Sequence, residues 1–281
     1  MSMLKKLSLI ILSCVISCYL AFCLAVYFYP QGFFYNPSSQ RANLANALSN
    51  GFKAEEVTYN SSDGTELYGW FVKPQSKKKV IVYFHGNSHN IEAFYHKLIP
   101  LIDAGYGVFI GEYRGFGGIK GIINQNNLGN DALAAVHYLH SQGYENTDLI
   151  LYGMSMGSYT SIHTAYELGK EQSFSALILE VPFDSILNVV KQRIVPLFPF
   201  ELIIKDKYDN ITKIAKLNLP ILIMGGSKDK VVPIECAQNL YNFANINKKM
   251  IVYKGADHSE LYSRRNWQDI LDWLNNNEKI K

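Results

Sequence analysis

Five residues, Gly153-Met154-Ser155-Met156-Gly157, hold a serine between two glycines in a G-x-S-x-G pattern. An apolar run, Leu149–Tyr152, precedes them, and a stretch at helical spacing, Met156–Leu168, follows. That strand–turn–helix setting is what the pattern needs to be a sharp turn exposing a nucleophilic hydroxyl. The flanking positions must be small where strand and helix approach each other, and glycine meets that demand. Ser155 would then sit at a helix amino end, where the dipole favours developing negative charge. A serine hydroxyl is a poor nucleophile until a base takes its proton. His258, in Gly255-Ala256-Asp257-His258 after the run Met250–Tyr253, is the expected base. Asp229, in Gly225-Gly226-Ser227-Lys228-Asp229 after Ile221–Met224, is the expected orienting acid. The chain order Ser…Asp…His fits this setting, and loops following parallel strands open at the same sheet edge.

Other side chains compete less well. Glu180 ends the preceding apolar run and is the rival for the orienting role, while Asp184 and Asp257 are further acids nearby in sequence. His137, His140 and His163 fall on helical stretches away from strand ends, and His89 and His96 lie where the first crossover opens. Acyl transfer also needs two preorganised N–H donors for the oxyanion. The backbone of Met156, just after the nucleophile, supplies one. The backbone of Asn87, in His85-Gly86-Asn87-Ser88 after Val80–Phe84, is the expected second. Gly86 lets the chain pass close to a substrate, and His85 is expected to anchor this loop rather than do chemistry.

These residues require a particular scaffold. Glu55–Tyr59 and Glu66–Lys73 flank Asp63-Gly64 and predict an antiparallel hairpin. Strand-like and helix-like stretches then alternate: Val80–Phe84, helix Asn90–Ala104, Gly107–Tyr113, helix Leu128–Ser141, Leu149–Tyr152, helix Met156–Leu168, Ala176–Val181, Ile221–Met224, helix Pro233–Phe243, Met250–Tyr253 and a closing amphipathic helix around Trp267–Leu274. Continuous apolar strands alternating with helices predict an α/β fold: a mostly parallel sheet, an antiparallel amino-terminal edge, and helices on both faces. Residues 182–218 interrupt the alternation with Pro196, Pro199 and several large apolar side chains. This stretch is too long for a simple connection and predicts a short helical lid. Its apolar content suits a lipid-like or acyl substrate, and equally suits packing on the core.

Leu7–Tyr29 is an uncharged apolar run preceded by Lys5 and Lys6, with no further Lys or Arg until Arg41. As a helix it spans about 34 Å, enough for a bilayer. We therefore expect residues 1–30 to be a transmembrane signal anchor, 31–54 a juxtamembrane connector and 55–281 the globular domain. The charge asymmetry predicts an extracytoplasmic domain, periplasmic or luminal. A cleaved signal peptide, or a lipoprotein signal at Val15-Ile16-Ser17-Cys18, are the alternatives, and both also export the domain. The net charge is +3 from 27 Lys+Arg and 24 Asp+Glu. The clusters Lys77–Lys79 and Lys248–Lys249 read as solvated loops, and no nucleic-acid motif is present. Three of the four cysteines, Cys14, Cys18 and Cys23, lie in the apolar segment, which leaves Cys236 alone in the body. Neither an intradomain disulfide nor a zinc site is expected.

With these stretches placed, the chain after residue 50 resembles the α/β-hydrolase superfamily. The resemblance is carried by Phe84-His85-Gly86-Asn87, Tyr113-Arg114-Gly115-Phe116-Gly117, the Ser155 motif, the Asp229 loop and Gly255-Ala256-Asp257-His258. It looks most like a membrane-anchored branch with an HGN loop that includes depalmitoylase-like and esterase-like proteins. The resemblance implies hydrolysis of a carboxylic ester or thioester through an acyl-serine, with no cofactor and no metal. A peptidase on the same fold, or a membrane-tethered binding protein without activity, are the other readings, because one scaffold hosts many functions.

Overall fold

The computed structural model describes residues 2–75, 78–193, 198–245 and 247–277. Lys77 of the basic cluster, residues 194–197 of the expected lid with Pro196, and the last four residues lie outside them.

Ten strands are described: β1 (Asn36–Pro37), β2 (Glu55–Asn60), β3 (Glu66–Val72), β4 (Val80–Phe84), β5 (Ser88–His89), β6 (Gly107–Gly111), β7 (Leu149–Met154), β8 (Ala176–Glu180), β9 (Ile221–Gly226) and β10 (Lys248–Tyr253). Eight form one sheet in the order β10-β9-β8-β7-β4-β6-β3-β2. From β10 to β6 every pairing is parallel, whereas β3 runs antiparallel to both β6 and β2. The expected sheet and its antiparallel edge are thus present. β1 and β5 form a separate parallel pair.

The period-2 alternation of the strands divides the core in two. Val80, Val82 and Phe84 face one cluster with helices α5 (Gln125–Ser141), α6 (Gly157–Leu168) and α10 (Ile234–Phe243). Ile81 and Tyr83 face the other, with the 91–103 segment and the carboxyl-terminal helix Asn266–Asn276. Both faces are dry, which explains the unbroken apolar runs.

The single helix predicted over Asn90–Ala104 is not formed. Two 3₁₀ turns, Ile91–Ala93 and Tyr95–Leu98, lead into a short α-helix, Ile99–Asp103. Pro100 lacks an N–H and so belongs in a first helical turn. Upstream, the Ile91 N–H is drawn to the Glu112 carboxylate at 3.0 Å. Helix α5 begins three residues before its expected start because Asn124 caps it, accepting from the Asn127 N–H at 2.8 Å. Lys248, expected in a solvated loop, opens β10 and donates to the Tyr241 and Ala244 carbonyls closing α10.

Helix α1 (Met3–Phe28) is 26 residues long, and only Cys23 and Val26 are buried. By length and composition it is able to cross a bilayer. Residues 182–218 carry α7 (Ile186–Arg193), α8 (Phe200–Ile203) and α9 (Ile211–Ile214). The end of α1 meets this region in a third apolar cluster of Cys23, Val26, Val190, Phe200, Ile203 and Ile204.

Candidate active site

The turn after β7 is tight enough to specify its glycines. A Cβ on Gly153 would strike the Gly157 carbonyl, and one on Gly157 would strike the Phe84 carbonyl. Ser155 sits at φ 52°, a left-handed conformation unusual for a residue with a side chain. It is held there by its N–H donating to the Glu180 carbonyl at 2.9 Å, and by its own carbonyl accepting from Ser158 at 2.9 Å as α6 begins.

The three sequence-predicted side chains meet at this turn. Ser155 Oγ lies 3.1 Å from His258 Nε2, and His258 Nδ1 lies 2.6 Å from Asp229 Oδ2. In the arrangement that satisfies all three groups, Ser155 donates to Nε2 and the Nδ1–H donates to the carboxylate. The other carboxylate oxygen accepts the Val231 and Val232 N–H groups at 2.8 and 2.7 Å, fixing the acid. Its side chain is 2% exposed and the imidazole 16%. The acid is therefore shielded while the ring stays reachable.

The competing acids have other partners. Glu180 is buried, with its carboxylate bonded to the Tyr152 hydroxyl and 3.3 Å from Lys97 Nζ. Asp184 accepts from Asn188 and Asn239 at 2.6 and 2.8 Å, tying the start of the 182–218 segment to α10. Asp257 accepts the Lys230 and His258 N–H groups at 2.9 and 2.8 Å, and so joins the loops carrying Asp229 and His258. The Arg193 guanidinium adds a further tie to the Asp229 carbonyl.

The loop after β4 lies against Ser155: a Cβ on Gly86 would be 3.7 Å from that of Ser155. His85 anchors it. Its Nε2 donates to Glu112 at 2.9 Å and its Nδ1 faces the Gly86 carbonyl at 2.8 Å, with neither His85 nor Glu112 exposed to solvent. Glu112 was not singled out in the sequence, yet it also accepts from Ile91 and Tyr113. An acid directly after an apolar strand is the only sequence signal for it. Arg114, next along, is buried between Asp131 and Asp63 and locks the β2–β3 turn to α5. His137 and His140 lie on α5, and His96 in the second 3₁₀ turn.

Asn87, Met156 and Ser155 line one cavity of about 210 Å³. The rest of its wall is apolar or aromatic, including Phe33, Phe34 and Tyr35, Ile186 and Val189 of α7, and Val231 and Val232 beside Asp229. The contribution of residues 33–35 was not read from the sequence, where an aromatic triplet inside a polar connector was its one trace. Among the described residues there is no cluster of His, Cys, Asp and Glu suited to a metal ion.

The fold is that of the α/β hydrolases, and the chain resembles that superfamily. Residues 75–199 match the model of the family described as serine aminopeptidase, S33. Among solved structures, the Pyrococcus furiosus esterase Pf2001 superposes with a TM-score of 0.68 at 21% identity, covering 86% of this chain and 97% of the esterase. Pyrococcus horikoshii acylaminoacyl peptidase gives 0.66 at 15% identity, with 83% of this chain on 43% of the peptidase. Among curated proteins, the uncharacterized protein YfhR of Escherichia coli K12 is 29% identical over 255 residues, which is 87% of this chain and 86% of YfhR. An uncharacterized membrane protein of Saccharomyces cerevisiae is 26% identical over 232 residues, 79% of this chain and 80% of the yeast protein.

Proposed function

We propose that this protein is a serine hydrolase of carboxylic esters or thioesters. The observation that carries the reading is the unbroken contact chain from the Ser155 hydroxyl through His258 to Asp229, 3.1 and 2.6 Å, at the wall of an apolar cavity. Ser155 Oγ attacks the acyl carbon as its proton passes to His258 Nε2. The Asn87 and Met156 N–H groups receive the oxyanion, and Asp229 holds the imidazole and stabilises its charged form. Collapse of the intermediate breaks the C–O or C–S bond, and the imidazolium returns the proton to the leaving group. Water, deprotonated by His258, then releases the acid from Ser155.

The cavity supports an acyl group rather than an amino acid. Among the described residues that line it, none is a carboxylate that would hold a free amino terminus. The S33 family description and the peptidase neighbour keep peptide amides as a second reading. A fluorophosphonate probe should label the wild-type protein and not Ser155→Ala, and activity should fall by about 10⁶ on loss of the nucleophile. Undiminished labelling of Ser155→Ala would overturn the assignment. Turnover of peptide amides with no turnover of p-nitrophenyl esters would favour the second reading.

Helix α1 serves in this proposal as an uncleaved anchor, with Lys5 and Lys6 on the cytoplasmic side and the domain, lidded by α7 to α9, on the far side. The substrate is a small acyl ester or thioester of lipid-like character. Protease added to intact spheroplasts or sealed vesicles should digest the domain; full protection would reverse the orientation.

A further inference from the structure

We infer that the segment joining α1 to the domain is a working part of the active site: the side chains of Phe33, Phe34 and Tyr35 limit the acyl chain, and the backbone of residues 34–38 positions the oxyanion loop. This inference rests on the hydrolase reading and specifies which acyl groups that site accepts. Three sets of contacts support it.

First, the loop carrying Asn87 is sewn to this segment. The Asn36 N–H donates to the Asn87 carbonyl at 2.9 Å, and the Asn87 side chain donates to the Phe34 carbonyl at 2.7 Å. The Ser38 N–H donates to the His89 carbonyl at 2.9 Å, completing the β1–β5 pair. His89 stands at φ 63°, a conformation that persists only where neighbours impose it. The Asn87 carbonyl and side chain, one Cα beyond the N–H offered to the oxyanion, are thus both held by a strand outside the main sheet.

Second, Phe33, Phe34 and Tyr35 line the same cavity as Ile186 and Val189. The Tyr35 hydroxyl bonds to that of Tyr208, itself at φ 49° with its N–H held by Gln125 at 2.7 Å. The segment is therefore clipped across the cavity to the chain following α8. These side chains bound the space beside Ser155 that an acyl chain bonded to it would enter.

Third, the segment is continuous with the anchor. Phe33 meets Phe22 of α1 edge-on at 5.8 Å, and Phe22 meets Phe198 at 4.6 Å beside the Tyr19–Phe198 stack at 5.0 Å. An unbroken line of aromatic contacts runs from the apolar helix to the wall of the acyl cavity.

The test uses the full-length protein in detergent or vesicles with p-nitrophenyl esters of increasing acyl length. Asn36→Pro deletes the N–H that reaches Asn87, and Tyr35 already has the extended backbone required before proline (φ −130°, ψ 145°). Asn36→Ala keeps the N–H. We expect kcat to fall about tenfold in Asn36→Pro with KM little changed, since one neutral hydrogen bond acts through the oxyanion donor, and to stay near wild type in Asn36→Ala. Hydrogen exchange across residues 85–91 should rise in the proline variant alone. Phe34→Ala should move the optimum to longer acyl chains. Equal kcat and equal exchange in the two Asn36 variants, with an unmoved chain-length optimum in folded Phe34→Ala, would overturn the inference. A folded wild-type protein that neither takes the fluorophosphonate at Ser155 nor cleaves any ester would instead remove the hydrolase reading beneath it.

Discussion

Among the described residues two histidine–carboxylate pairs are present, and only one is joined to a serine hydroxyl. His85 and Glu112 meet at 2.9 Å, and His258 and Asp229 at 2.6 Å. The local chemistry is alike, but the second ring nitrogen differs. In His85 it faces the Gly86 carbonyl, a group with no proton to give. In His258 it faces the Ser155 hydroxyl, a group that has a proton to give. Surroundings differ as well. His85 is wholly buried among Phe94, Tyr113 and Phe116, at ring separations of 4.5 to 5.4 Å, whereas His258 keeps partial exposure beside the cavity. An imidazole–carboxylate contact is therefore not in itself a functional signature; the partner of the far nitrogen decides.

The comparison breaks most sharply at the acids. Asp229→Asn leaves the shape of the site intact but removes the charge that holds the ring and its tautomer. Activity on an ester substrate should drop by about 10⁴, near 5.5 kcal/mol of transition-state stabilisation, with Tm almost unchanged. Glu112→Ala should do the reverse. It leaves His85 and the Ile91 and Tyr113 N–H groups without their acceptor in the core, at a cost of about 3–5 kcal/mol and a fall in Tm on the order of 10 °C. The activity that remains per folded molecule should exceed that of Asp229→Asn by orders of magnitude. Thermal melts alongside active-site titration distinguish the two, and equal loss of activity per folded molecule would erase the contrast. Glu180→Gln tests another buried acid. Its contacts are Tyr152 and Lys97 rather than His258, so turnover should change less than about tenfold while Tm declines. A loss matching that of Asp229→Asn would transfer the orienting role to Glu180.

The candidate site was legible because its constraints are local. Gly153 and Gly157 are dictated by backbone approach within one turn, and Asp229 and His258 each follow an apolar strand by a few residues. The sheet was legible for a similar reason, since strands buried on both faces cannot hide their composition. What escaped depends on pairings distant in sequence. Glu112 looks like any acid at a strand end until Ile91 and His85 are folded against it. Phe33, Phe34 and Tyr35 read as a connector because their partners, Asn87 and Tyr208, are about 50 and 170 residues away, a separation no periodicity encodes. The helix expected over Asn90–Ala104 failed through a competition that apolar spacing does not register: Pro100 sets the start of the α-helix, and Glu112 claims the Ile91 N–H.

A third histidine extends the comparison to a cationic partner. His163 Nδ1 accepts from Lys213 Nζ at 2.9 Å, and burial together with that ammonium pushes its pKa down to about 4. The ring is held neutral, where a carboxylate partner would favour its charged form. With the folded value below the unfolded ~6.5, the unfolded chain binds more protons between these limits. His163 therefore costs no stability above pH ~6.5, and stability is lost as the pH falls from there toward 4. We expect Tm to decline between pH 7 and pH 5, and the decline to be smaller in His163→Gln by on the order of a few degrees. Esterase activity at pH 7 should be indifferent to this substitution, because the ring lies on α6 away from the cavity lining. An identical pH dependence of Tm in the two proteins would show that the Lys213 contact does not keep the ring neutral. The sign of the partner's charge would then not be what separates this histidine from His85 and His258.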